Sequence, residues 1–138
     1  MWKCEHTELT SAAPAQVWKF YDPDEWTRWD HDLEWVKVDG PMADGATGVL
    51  KPVAGPKTKL RFVQVVEERT FVNVARLPLA KMTVGHHIEP AGDGSRITHR
   101  MTISGALAPL WGRVIGAKAA AGLPETMRRL TSLAEAGT

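Results

Sequence analysis

Lys81-Met-Thr-Val-Gly-His-His-Ile-Glu89, then Pro90-Ala91, the turn Gly92-Asp93-Gly94 and Arg96-Ile-Thr-His-Arg-Met-Thr-Ile-Ser104, is the stretch that decides the fold. On both sides of the glycines the side chains alternate. Met82, Val84, His86 and Ile88 share one parity, and Ile97, His99, Met101 and Ile103 share another. Successive side chains of a strand point to opposite faces, so each run presents one largely apolar face. Gly-Asp-Gly between two such runs signals a hairpin. The two strands are expected to pair antiparallel, which points His86 and His99 into the same space.

Backwards from this hairpin the period of two continues. Thr70–Leu77 and Thr58–Val66 read as strands joined by Glu67-Glu68-Arg69, with Pro78 breaking the next junction. Thr47–Val53 is ended by Gly55-Pro56, and Leu33–Asp39 by Gly40-Pro41. With Trp2–Leu9 these runs make about seven strands. Short connections make neighbours antiparallel. Only the first strand is separated from its successor by helical sequence. Pro14 is suited to a first helical position, and Ala15-Gln-Val-Trp-Lys-Phe-Tyr21 continues from it. Asp22-Pro-Asp-Glu25 opens a second short helix that carries Trp26 and Trp29 on one face.

Forwards from the hairpin, the chain closes on a helix from about Ala108 to Ala136. Leu123, Met127, Leu130 and Ala134 form one apolar stripe facing the sheet. Gly112, Gly116 and Ala120 form a second line of small residues, which reads either as close packing or as room for a ligand. Pro124 lies inside this helix and is expected to kink it near Ala120.

The 138 residues fit one domain, 1–138, with a core large enough to stand without staples. Seventeen basic against sixteen acidic residues leave a formal charge of +1, so net charge makes no case for nucleic acid or an anionic membrane. The Lys57/Lys59/Arg61 and Arg128/Arg129 clusters read as solvated faces. Cys4 is the only cysteine, which excludes an internal disulfide and points to a reducing compartment. Met1-Trp-Lys-Cys-Glu-His6 lacks the pattern of a signal peptide, and no apolar run approaches the ~18 residues of a spanning helix. A cytoplasmic monomer or homodimer without membrane insertion is expected.

Ala13-Pro-Ala-Gln-Val-Trp18, Asp22-Pro-Asp-Glu-Trp26-Thr-Arg-Trp29-Asp30, and Gly94-Ser-Arg-Ile-Thr-His-Arg100 followed by Gly105-Ala-Leu-Ala-Pro-Leu110 carry a family resemblance. With the order strand, two short helices, six-strand meander and terminal helix, the chain resembles the START-like (SRPBCC) helix-grip superfamily. That superfamily includes the polyketide cyclase/dehydrase and lipid-transport group. The resemblance implies an α+β helix-grip fold: a seven-stranded curved antiparallel sheet wrapped around a long C-terminal helix, with two short helices after the first strand. It also implies a cavity between sheet and helix for lipids, polyketides, hormones or other apolar small molecules. The pattern of aromatising cyclases, an inward Arg with a Tyr partner, is not matched, since Tyr21 is the only tyrosine.

Within that frame the expected ligand-binding residues are Trp29, Trp35, Met82, Val84, Met101, Ile115, Gly116, Ala119 and Leu123. His86 and His99 are candidate acid–base groups, since imidazole titrates near neutrality. The alternative is that each is a core histidine bonded to a backbone group or to Tyr21. His87 has the opposite, solvent-facing parity, and Arg76 and Arg100 are expected outside. Asp30-His31-Asp32-Leu33-Glu34 gathers carboxylates near the cavity mouth, read as either a general base or a solvated acidic loop. No His/Cys/Asp spacing suits a metal, no nucleotide, flavin or nicotinamide motif appears, and neither Cys4 nor any serine sits in a nucleophile pattern. No cofactor or metal is therefore expected. Three functions remain: a carrier for an apolar small molecule, a cyclase closing and dehydrating a poly-carbonyl chain, and a protein-interaction module.

Overall fold

The turn at Gly92-Asp93 sets the fold's central hairpin: Gly92 takes φ +57°, and Ala91 pairs with Gly94 directly across it. A computed structural model describes residues 1–137. Its elements are β1 (Trp2–Thr10), α1 (Pro14–Lys19), a 3-10 turn (Pro23–Glu25), α2 (Trp26–Trp29), β2 (Leu33–Val38), β3 (Thr47–Pro52), β4 (Thr58–Val66), β5 (Thr70–Leu77), β6 (Ala80–Ala91), β7 (Gly94–Ser104), α3 (Ala108–Trp111), a π-helical turn (Gly112–Gly116) and α4 (Ala117–Ala136).

The seven strands form one antiparallel sheet in the order β1-β7-β6-β5-β4-β3-β2. Every neighbour but one is sequential. The exception, β1 against β7, places the first strand beside the last, so α1 and α2 cross between opposite edges of the sheet. α4 packs against β1, α1 and α2. Its stripe holds as the sequence predicts: Met127, Leu130 and Ala134 are fully buried, and Leu123 packs at the edge of the same core.

Two β-bulges interrupt the alternation. One shifts the β2–β3 register between Leu33 and Trp35, the other the β4–β5 register between Phe62 and Gln64. A bulge adds a residue on one strand and reverses which face the following residues take. Leu33 is therefore inside, and so are Val36 and Val38, which pack against the core. The helical irregularity falls at Gly112–Gly116, as a π turn, and α4 runs on through Pro124. The two glycines, the weakest helix formers short of proline, favour the departure from α-helical pairing there.

Candidate functional site

The inner face of β5, β6 and β7 carries a row of rings. Phe71, His86 and His99 are direct cross-strand neighbours. Phe71 and His86 stack with centroids 3.8 Å apart at 7°, and His86 meets His99 edge-on at 4.7 Å. Tyr21, just past α1, drops into this row. Its ring lies 4.8 Å from Phe71 and its hydroxyl 2.8 Å from His99 Nε2. Trp26 and Trp29, one α2 turn apart, close the far side; their indole N–H groups donate to the carbonyls of Tyr21 and Phe20, each at 2.7 Å. These two bonds fix the Tyr21 backbone under α2.

The electrostatics follow from burial. His86 Nδ1 is 3.1 Å from the Phe71 carbonyl oxygen. A carbonyl only accepts, so Nδ1 carries the proton and Nε2 keeps its lone pair. Burial of the charged form pushes the His86 pKa down to about 3 and that of His99 well below its ordinary value. Burial likewise raises Tyr21 well above the phenol range. All three groups are neutral near pH 7, a hydrogen-bonding set rather than a charged one. The remaining nitrogens, His86 Nε2 and His99 Nδ1, have no partner among the described residues.

Asp30 caps the C-terminal end of α2. It follows Trp29, whose ring is 5.8 Å from His99. Burial raises the Asp30 carboxyl to about 6, opposed by the Asp32 N–H, which donates to its Oδ1 at 3.1 Å. His31, Asp32 and Glu34 are exposed.

The predicted lining residues divide by environment. Met82, Val84 and Met101 face inward and are only half-buried, whereas Ile88, Ile97, Ile103 and Phe71 on the same face are buried. Ile115, Ala119 and Leu123 on the helical side are half-buried as well. The interior is thus filled by aromatics at the α1/α2 end, while Met82, Val84 and Met101 on the sheet and Ile115, Ala119 and Leu123 on the helical side stay half-buried. Trp29 is 4% exposed and belongs to the filled end. A second opening, a groove of about 1030 Å³ that includes Trp18, Val36, Val38 and Met42, lies where α1 meets the far strands.

Two expected residues are corrected. Trp35 stands on the outer face beside Lys37, whose ammonium lies 5.7 Å from its ring centroid, because the Leu33/Trp35 bulge reverses the parity. Gly116 is buried against Trp2 rather than opening space for a ligand at its Cα. A Cβ there, or at Gly112, would come within 2.8 Å or 2.7 Å of the Trp2 indole, so this glycine line exists to seat Trp2. Phe71 was missed, although its strand's own alternation, Phe71, Asn73, Ala75, marks it as inward. His87 bonds Thr70 at 2.9 Å, and Arg76 is exposed, as their parities imply. Arg100 pairs with Glu5 at 2.6 Å on the outer face. Among the described residues no group of three or more His, Cys, Asp or Glu is placed to hold a metal ion, and no helix is long and apolar enough to cross a membrane.

Comparison with solved structures returns the same architecture. A protein from Mesorhizobium loti matches with a TM-score of 0.76 at 19% identity, over 96% of each chain. A protein from Thermus thermophilus matches at 0.75 and 13%, over 99% of each. The di-domain ARO/CYC StfQ of the steffimycin biosynthetic pathway matches at 0.78 and 15%, with 99% of this chain covering 52% of that one. At these identities the likeness is one of fold. No curated protein sequence matches the chain. The sequence model of the family described as polyketide cyclase / dehydrase and lipid transport matches residues 1–135, nearly the whole chain, and on that ground this helix-grip protein belongs to the polyketide cyclase / dehydrase and lipid transport family.

Proposed function

We propose that the protein binds an apolar small molecule, polyketide-, lipid- or aromatic-like, between the sheet and the terminal helix. One observation carries this reading. Met82, Val84 and Met101 face inward yet keep accessible surface, on a sheet whose neighbouring inward residues are sealed. Apolar surface left uncovered inside a fold is costly unless something occupies it, at roughly 25 cal/mol per Å². Concave, largely apolar sites with a few polar groups are the usual form of small-molecule pockets. His86 Nε2, a lone pair on an otherwise apolar wall, would orient a ligand hydroxyl.

Native mass spectrometry of the gently purified protein tests this. A stoichiometric extra mass that extracts into organic solvent is the expected result. A clean mass that stays unchanged on incubation with a panel of aromatic polyketides and fatty acids would count against it.

A second reading is catalytic, cyclisation and dehydration of a poly-carbonyl chain, and it is favoured by the Tyr21–His99–His86 row and the adjoining raised carboxyl of Asp30. Asp30, half-protonated at about pH 6, would be the proton acceptor at the ligand's edge, and the two imidazoles would act as neutral hydrogen-bonding groups. Asp30→Asn that abolishes turnover of a poly-carbonyl substrate while preserving its binding would favour the enzyme over the carrier.

A further inference from the structure

On the side of the sheet away from α4, a groove of about 910 Å³ runs from β3 across β4 and β5 to the β5–β6 turn. Its floor includes Val63 and Val74, and its walls carry Lys59, Arg61, Arg76 and Lys81. All four cations are exposed. The register places them close together: Arg61 is opposite Val74, and Arg76 is directly opposite Lys81. Like charges directly across a strand pair repel, and sheets ordinarily interleave carboxylates to avoid it.

Here the carboxylates are elsewhere. The ion pairs among the described residues join Glu8, Glu25, Glu34, Glu5 and Glu125 to other partners, and none includes these four cations. Asp39 is the one acid lining the groove, and it accepts a hydrogen bond from Thr47 at 3.1 Å. The chain's formal charge of +1 therefore conceals a local excess that folding creates.

The apolar part of the groove is also unusual. Leu79 is 71% exposed and stands at φ +54°, a conformation that a bulky side chain rarely adopts. The Trp111 indole N–H donates to the Pro78 carbonyl at 2.9 Å, and the Leu107 N–H to the Leu79 carbonyl at 3.1 Å. Helix-side groups thus hold the turn so that Leu79 closes the groove's end in full contact with solvent.

We propose that this outer groove is a second binding site, for an organic anion carrying an apolar chain, its head between Arg61, Arg76 and Lys81 and its chain along Val63, Val74 and Leu79. Four cations without carboxylate partners call for an anion. The apolar floor selects an amphiphile over a hydrated inorganic ion, and the volume is that of a small-molecule site. This site is separate from the interior one and does not rest on it.

Octyl phosphate, below its micellar concentration, is the probe, with octanol as the uncharged control, followed by amide and methyl NMR. Expected are shifts at Arg61, Val63, Val74 and Ala80 with octyl phosphate and none there with octanol. The affinity should fall as salt is raised from about 0.05 M to about 0.5 M. Arg61→Glu/Arg76→Glu should weaken binding about tenfold or more, since each 1.4 kcal/mol is a factor of ten. Its fold is checked by circular dichroism, and Arg61→Gln/Arg76→Gln serves if the reversal fails to fold. Shifts confined to Met82, Val84 and Met101 would report the interior site alone and overturn the proposal. Equal binding by the variant, or an equal response to octanol, would do the same. Co-sedimentation with phosphatidylglycerol vesicles without an octyl-phosphate response would assign the face to a membrane surface and also overturn it.

Discussion

Tyr21 Oη lies 2.8 Å from His99 Nε2, joining the residue just after α1 to the middle of β7 across 78 positions of sequence. Both side chains are essentially sealed, at 0% and 3% exposure. The bond closes the filled end of the interior and holds the helical crossover against the sheet. Because burial keeps both groups neutral, it is unaffected by pH near neutrality.

Tyr21→Phe keeps the ring contacts but leaves His99 Nε2 buried without a partner. An unsatisfied buried polar group costs about 1–3 kcal/mol. Urea denaturation should show a loss of that order; an unchanged midpoint and slope would refute the role assigned to the bond.

Stability should depend on pH in a calculable way. Unfolded histidine titrates at 6.5, but folded His86 does so at about 3 and His99 well below 6.5. The stability from these two is full above about pH 6.5 and is lost as the pH falls towards about 3, because the unfolded chain takes up protons that the folded one refuses. Asp30 opposes them. Its carboxyl rises from 3.8 to about 6, so its contribution is present below 3.8 and lost as the pH rises through 6. Between these limits the two histidines make stability rise with pH, because the unfolded chain holds their protons, and Asp30 works against that rise. Asp30→Asn removes the opposing proton and should make stability rise more steeply with pH in this window. Identical slopes in the two proteins would sink this account.

Gly116→Ala sets two effects against each other. Alanine gains roughly 1 kcal/mol of helix propensity over glycine. The new Cβ would sit 2.8 Å from the Trp2 ring, a rigid group that has to swing away. Overpacking of this kind costs typically 1–3 kcal/mol, so a net loss is expected. Combining the change with Trp2→Ala should turn it neutral or favourable, and additive losses in the double variant would show that Trp2 is not the obstacle.

Val84→Trp should fill the half-buried region and abolish uptake of an apolar ligand with little effect on secondary structure. Trp35→Ala, on the outer face, should leave uptake unchanged. Native mass spectrometry of both variants checks the pair; loss of ligand on Trp35→Ala would return Trp35 to the interior.

The juxtaposition of His86 and His99 was legible because both lie on one hairpin, where a two-residue turn fixes register and alternation fixes face. Nothing long-range is needed to place them. Trp35 was expected inside as a large amphipathic ring beside the acidic loop, and its face depends on a single bulged residue that leaves no mark in the pattern of side-chain types. The glycine line of the terminal helix was visible as a feature, but its partner was not. Trp2 lies more than a hundred residues away in sequence and reaches Gly112 and Gly116 only once β1 joins β7.

The sequence by itself therefore determined the element order, the hairpin register and the apolar faces, all properties of local alternation, turn chemistry and helical period. Tertiary structure alone decided which end of the interior is filled, which histidine Tyr21 meets, and that cations from β4, β5 and β6 share one groove. Those outcomes depend on contacts between distant segments, and on bulges whose location is settled by packing rather than by the residues that form them.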